Sequence, residues 1–502
     1  MTYLMGIDIG TSAMKATAFT TEGKIAATCA AEYVLDMPRE GICEADVAAY
    51  WTALVTCCRG IVSAGVAPGG IVALSLAAQA ETLVCLDEKY EPLRPAIVWL
   101  DNRSVEEAKE LREHFGQSAL YAVSGQPEMI PMWPATKMLW LAHNEPATFE
   151  HTRWWVQLLD YFTYRLTGRL MSDRSEYSSS LVLDASSGEW YQPMLDYVGI
   201  TTAQLPELGT AGSSVGLLMP KIASELGLSE RTVVALGGFD QACTTLGAGN
   251  VSPGIVTEST GTCLAVHATL SHFQTVAGGV IPCHIHVAPS RWFYDASAST
   301  GGAVFKWFRD AFYPAGTSYS VLTSMAEEVA PGSTGLVMLP HLMGSVVPEY
   351  DADVRGVLAG LQLSHGRPHV ARAILESIAY LLRHLVELQV EAGATCEEIR
   401  SIGGGARSDL WCQIKADVTG VPVVTMEVEE AGTLGAAILA SVGAGVYGTV
   451  GEACARMVRV RRRFEPEASV REVYRDAYGR YRMIYPGLKG LWASESRSER
   501  AR

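Results

Sequence analysis

Positive charge is in short supply in this chain, its cysteines follow no repeated spacing, and no basic, apolar leader opens it. Each absence excludes something. The 502 residues carry 39 lysines and arginines against 54 aspartates and glutamates, a net charge of −15. General binding to nucleic acid or to an anionic membrane needs a basic surface and is excluded. The eleven cysteines are odd in number and scattered, so a secreted disulfide framework is not expected and a reducing cytoplasm is the natural compartment. Cys57 and Cys58 read as two small buried residues. Cys283-His284-Ile285-His286 looks like half a metal site, but no second pair stands at zinc-like spacing, and the histidines read as neighbours on one strand face. The start of the chain lacks the pattern of a signal peptide. The stretch 431–450 is uncharged and nearly of bilayer length, yet it is mostly Gly and Ala and follows Glu427, Glu429 and Glu430. That composition suits a helix packed closely inside a globular domain.

What is present begins at once. The string Leu4-Met5-Gly6-Ile7-Asp8-Ile9-Gly10-Thr11-Ser12 is an apolar strand ending in an acid, a glycine and two hydroxyls, and Ala16-Thr17-Ala18-Phe19 returns from it as a hairpin. An ionised carboxylate on a buried strand is costly unless paired or beside a cation, so Asp8 asks for a reason. Gly10 lets backbone approach a ligand, and Thr11, Ser12 and Lys15 supply donors suited to phosphate oxygens.

The length implies two large domains, and an apolar content of 48% with 19% charge is globular. Further strands are predicted at 25–28, 71–76, 83–87 and 96–99. Helices are expected near 46–62 and after Ser104, which forms a capping-box pattern with Glu107. Residues 119–218 are helix-rich, with several Trp and Tyr. The pattern then restarts: strand 233–238, a helix from Asp240, and Gly254–Val266 as a second strand, Gly-Thr turn and strand. This echo of the opening hairpin suggests two related domains facing one cleft. A long helix over 370–391 leads to strand 399–402, the run Gly403-Gly404-Gly405-Ala406 and a helix over 408–419, the form of a nucleotide-contacting turn. The tail after Pro486, with Arg497, Arg500 and Arg502, is expected to be flexible and solvated.

Two nucleotide-binding classes are missing from the sequence. There is no G-x-x-x-x-G-K-[ST], which removes the P-loop proteins, and no G-x-G-x-x-G with a ribose-binding acid about 20 residues on, which disfavours a Rossmann dehydrogenase. A nucleotide held by one hairpin from each domain is what remains. By spacing alone Asp240 reads as a helix N-cap, and Trp99 reads equally as a core aromatic.

These motifs resemble the FGGY carbohydrate kinases, relatives of the actin, hexokinase and Hsp70 ATPases, over roughly residues 3–480. Gly6-Ile7-Asp8-Ile9-Gly10-Thr11-Ser12 is similar to the family's first phosphate motif, Gly237-Gly238-Phe239-Asp240-Gln241-Ala242 to its catalytic-acid segment, and Ser259-Thr260-Gly261-Thr262 to its second phosphate motif. Gly403–Trp411 with Glu430–Ala437 is similar to its adenosine motif, and Ser299-Thr300-Gly301-Gly302 also matches. The resemblance implies an α/β fold of two ribonuclease-H-like domains around an interdomain cleft, divided as 1–247 and 248–485, with 486–502 as the tail. It implies ATP-dependent phosphorylation of a free sugar or polyol hydroxyl, with Asp240 as base. Asp8 would serve Mg²⁺ through water, and Gly10, Thr11, Ser12, Lys15, Gly261, Thr262, Gly301, Gly404, Gly405, Ala406 and Asp409 would bind ATP.

Gln79, Ala80, Glu81, Trp99, Asp101 and Gln241 would meet the acceptor. Glycerol kinases carry Arg-Glu at Ala80-Glu81 and xylulokinases carry Met-His; this chain has neither pair. Met343–Pro348 also departs from the Gly-Glu-Arg-Thr-Pro usual in xylulokinases. The pattern is nearest the xylulokinase branch, which implies a ketopentose such as xylulose. Erythritol, ribulose, a ketohexose or a glycerol-like polyol stand as alternatives, and a non-catalytic actin-like ATP-binding protein as a further one. The expected partner is a small molecule, with neither nucleic acid nor membrane, and a homodimer stays open.

Overall fold

The alternation that marks the opening string as a strand is realised as a buried one. The computed structural model describes residues 1–276 and 278–499, and they group into two compact units. The first comprises 1–251, 270–293 and 430–459; the second comprises 252–269, 294–429 and 460 onward. Neither is continuous in sequence: residues 270–293 and a late helix, Ala431–Gly443, both belong to the first.

In the first unit, strands β1 (Tyr3–Ile9), β2 (Ala13–Thr20) and β3 (Ile25–Glu32) form an antiparallel meander. Strand β4 (Ile71–Ala78) returns parallel to β1 after the helix Val47–Ser63, which starts at Asp46, whose carboxylate accepts the Ala48 N–H at 2.9 Å. Strands β5 (Ser214–Leu217) and β6 (Val233–Ala235) complete the order β5-β6-β4-β1-β2-β3. The second unit repeats the plan. Strands β7 (Gly254–Thr260), β8 (Leu264–Leu270) and β9 (Trp292–Ala298) carry the meander. Strand β10 (Cys396–Ile402) runs parallel to β7 after the helix Arg367–Glu391, and β11 (Val423–Met426) and β12 (Val460–Phe464) follow, in the order β9-β8-β7-β10-β11-β12. The echo of one hairpin in the other is therefore an echo of whole sheets.

The uncharged stretch after Glu430 owes its composition to packing. From Ala431 to Ser441 every residue is buried. A Cβ on Gly6 of β1 would overlap the Thr433 carbonyl, one on Gly247 the Ala431 carbonyl, and one on Gly435 the Cys243 carbonyl. Small residues let backbones meet where side chains would hold them apart. No described helix is long and apolar enough to cross a membrane.

Three local expectations change. Helix Val105–Phe115 begins at Ser104 without the capping box, because the Ser104 hydroxyl bonds instead to Thr136 Oγ1 at 2.8 Å and Glu107 faces His143. Asp240 is not the cap of its helix: Phe239 holds that position and Asp240 is the first residue of Asp240–Gly247. The segment after Pro486 continues the helix Arg471–Glu499 rather than leaving it as a tail; Arg500 and Arg502 lie outside the described residues.

The glycine contact carries a direct consequence. Gly435→Ala is expected to destabilise the protein by about 3 kcal/mol, since the added methyl meets backbone that cannot rotate away. Gly451→Ala, on the exposed start of helix Val450–Met457 with nothing within 4 Å of its Cβ position, should add about 0.5–1 kcal/mol. Urea unfolding of both variants checks the pair, and equal midpoints would contradict it.

Candidate active site

The tip of the first hairpin is built from charge pairing across strands. Asp8 and Lys15 are register partners on β1 and β2. Lys15 Nζ reaches Glu430 Oε2 at 2.5 Å, each side chain about one-third exposed (35% and 35%). Burial pushes the Asp8 carboxyl up to about 6, with Lys15 pulling it down and Glu430 pushing it further up. A Cβ at Gly432 would stand 2.9 Å from Asp8 Oδ2, so a side chain there would displace this carboxylate. At the turn, Gly10 N–H donates to the Ala13 carbonyl at 3.1 Å, and the Gly10 carbonyl accepts from the Tyr33 hydroxyl. Thr11 Oγ1 accepts from the Trp99 indole at 3.0 Å. Trp99 thus joins the turn while packing half-buried against the core, and Ser12 is exposed.

The segment after β4 carries backbone strain. Glu81 has φ +62°, a left-handed conformation that a side-chain-bearing residue rarely adopts without reinforcement. Three distant groups hold it. Its N–H donates to Gln157 Oε1 at 2.5 Å, its carbonyl accepts from Lys137 Nζ at 2.8 Å, and its Oε1 accepts the Ser179 hydroxyl. Lys137 is fully buried and also donates to the Val98 carbonyl at 3.0 Å, tying the Glu81 segment to the strand end before Trp99. Burial pulls its ammonium down to about 7, with Glu81 and Asp101 acting upward.

Gln79 Nε2 donates to the Tyr50 hydroxyl at 3.1 Å, whereas its Oε1 is buried without a partner. Ala80 is buried, at 1% exposure. Asp101 has no free face: its oxygens accept from Arg103 at 2.8 Å and from the Cys43 N–H at 2.6 Å. Asp240 and Gln241 open their helix half-buried. The Phe239 N–H just before them donates to Ser175 Oγ at 3.1 Å. His286 and His284 sit on one face, with His286 Nε2 3.0 Å from the Asn250 carbonyl.

Sequence reasoning missed four residues here: Lys137, Gln157, Ser179 and Glu176. Lys137 had a signal, being the one cation in the apolar run of helix Pro134–Asn144. Glu176 is fully buried and neither carboxyl oxygen has a hydrogen-bond partner. Burial and the neighbouring Asp160, Glu81 and Asp240 push its carboxyl well above the usual carboxylate range.

The second unit contains a cavity of 740 Å³ lined by Thr260, Gly261, Thr262, Gly302, Gly404, Gly405 and Asp409 among others, a size suited to a nucleotide. The turn is held by the start of helix Gly302–Phe312: Gly302 N–H donates to the Gly261 carbonyl at 2.8 Å and Gly301 N–H to Thr262 at 2.9 Å. Gly301 and Ala406 back the wall rather than line it; the Ala406 carbonyl accepts from Arg461 at 2.8 Å. Exposed Asp409 pairs with Arg462 at the cavity.

Each unit carries a glycine-hydroxyl turn on its duplicated sheet, and the second adds a cavity of nucleotide size, the architecture of a two-domain kinase fold. Family models agree: the N-terminal domain of the FGGY family of carbohydrate kinases matches residues 3–247 and its C-terminal domain 253–444. The chain belongs to this family and is a carbohydrate kinase. It is 31% identical to the xylulose kinase of Bacillus subtilis over 492 residues, 98% of each chain. It is 28% identical to the gluconokinase of the same organism over 89% of this chain and 88% of that one. Among solved structures, ligand-bound xylulose kinase from Lactobacillus acidophilus aligns with a TM-score of 0.91 at 25% identity, over 98% of this chain and 100% of that one.

Lys137→Met preserves bulk but strands the Glu81 and Val98 carbonyls, at about 1–3 kcal/mol for each buried group. The expected outcome is a lower unfolding midpoint and a severalfold higher KM for the sugar with the KM for ATP unchanged. Steady-state kinetics varying each substrate in turn provides the check.

Proposed function

We propose that this kinase phosphorylates a free ketopentose of the xylulose type. The observation that carries the acceptor site is Glu81: buried, left-handed in backbone, and pinned from three sides. Strain kept at such cost marks functional positions. The xylulose kinases similar over nearly the full chain support the choice of sugar. Ala80 contributes only a methyl, and Glu81, Trp99 and Gln241 supply the contacts to the sugar. Asp101, engaged by Arg103 and Cys43, acts by holding the Trp99 segment.

Phosphoryl transfer passes through a loose transition state, so the protein chiefly positions reactants and neutralises charge. Asp240 accepts the proton of the attacking hydroxyl. Its position is set by the Ser175 hydroxyl behind Phe239 and by the tightly packed helix it opens. Thr11, Ser12 and the Gly10 backbone face the phosphoryl group as it passes from ATP to the sugar hydroxyl, and Lys15, restrained by Glu430, supplies positive charge beside it. In the second unit, Gly261 and Thr262 hold the nucleotide phosphates, and Gly404, Gly405 and Asp409 flank the adenosine.

Asp8 fits a hydrated Mg²⁺: a half-buried carboxylate, disfavoured as a bare charge, gains from a cation that keeps most of its water. When bound, the ion would neutralise charge on the phosphates. The remaining steps belong to the side chains named.

A panel of xylulose, ribulose, erythritol, glycerol and gluconate in an ADP-release assay should give the highest kcat/KM with xylulose; preference for gluconate or a polyol would overturn the substrate. Asp240→Asn should lower kcat by about 10²–10⁴-fold while ADP binding, measured by calorimetry, stays near wild type. Unchanged turnover would remove Asp240 from the role of base.

A further inference from the structure

The second unit buries a charge pair that the chemistry above does not use. Lys415, on the helix Asp409–Thr419, and Glu258, on β7, are both wholly inaccessible, with Nζ 2.5 Å from Glu258 Oε1. The same ammonium donates to Thr260 Oγ1 at 3.0 Å and stands 5.1 Å from the centre of the Trp411 ring. Thr260 in turn donates to Glu258 Oε2 at 2.7 Å, and the Ser401 hydroxyl of β10 donates to Oε1. Both acceptor oxygens of the carboxylate are therefore satisfied.

The place of this pair matters more than its strength. Thr260 and Trp411 both line the 740 Å³ cavity, and Thr260 leads into the Gly261-Thr262 turn. A Cβ on Gly405 would lie 2.7 Å from Thr260 Cβ and 3.2 Å from Lys415 Nζ. The glycine run thus rests directly on the threonine and the ammonium that anchors it. One cation touches β7, borders the glycine run and belongs to the helix following that run. Buried pairs add little net stability over apolar residues of similar volume, although removing one partner alone is severe. A role in geometry is the alternative to a role in stability.

We propose that Lys415 and Glu258 are positioning residues for the nucleotide: they set the spacing between the Thr260–Thr262 turn and the Gly403–Gly405 run across which the phosphates and adenosine lie. The inference rests on the nucleotide reading of this cavity. Thr260 is fixed by two hydrogen bonds at its hydroxyl, and its backbone carries that restraint into the turn. Neither charged group touches the nucleotide.

The test uses the full-length protein and ADP as probe. The double variant Lys415→Met/Glu258→Leu removes both charges together, so the fold should survive with a thermal midpoint near wild type. The expected result is a tenfold or greater rise in the dissociation constant for ADP and in the KM for ATP, with the KM for the sugar unchanged. Thr260→Val, which deletes only the bridging hydroxyl, should shift ADP affinity in the same direction and remains informative if the double variant does not fold. Wild-type ADP affinity in either folded variant would overturn the proposal and leave the pair a packing feature. If the wild-type protein itself bound no ADP, the nucleotide reading would fail first and this inference with it.

Discussion

Backbone-to-backbone contact around helix Ala431–Gly443 is the constraint on which the first unit depends. Gly6, Gly247 and Gly435 each face a carbonyl oxygen with no room for a methyl group. Such contacts admit almost no adjustment, because peptide groups, unlike side chains, have no alternative rotamers. The helix is consequently a fixed wall. It sets Gly432 against the Asp8 carboxylate and carries Glu430 to Lys15, so that the charge balance at the first hairpin turn is decided by how closely it packs. The same packing holds helix Asp240–Gly247, and with it the aspartate proposed as base.

Each unit handles buried charge differently. In the first, charges accumulate near the proposed acceptor site: Glu81, Asp160, Glu176 and Lys137 lie in the interior, and burial displaces the proton equilibria of Asp160, Glu176 and Lys137 toward their neutral forms. Asp160 rises to about 7 and Lys137 falls to about 7. In the second unit, Lys415 and Glu258 are joined directly and stay behind the cavity wall. The contrast fits the two tasks of a kinase. An acceptor pocket needs adaptable donors and acceptors, whereas a nucleotide site is built from backbone whose spacing must be held.

Much of the architecture was legible from the chain. The duplicated hairpins, the order of the three glycine turns and the helix after Ser408 all depend on neighbours within a few residues, and the structure forms each of them. The capping box at Ser104 was a local signal that did not survive, because Thr136, 32 residues away, claimed the hydroxyl. Gly301 and Ala406 belong to the turn and the glycine run but do not line the cavity, and the Asp101 carboxylate is engaged by Arg103. Sequence spacing places a residue on an element; it does not say which way the side chain is already committed.

The sequence by itself determined the family and the position of the glycine-hydroxyl turns, since these reside in short motifs whose chemistry is local. Tertiary structure alone decided how the proposed acceptor site is held. Glu81 owes its conformation to Lys137, Gln157 and Ser179, separated from it by 56, 76 and 98 residues. Lys415 reaches Thr260 across 155. No periodicity or propensity connects such positions; they meet only because the sheets bring their strand ends together, and a buried polar group must then find a partner or remain costly.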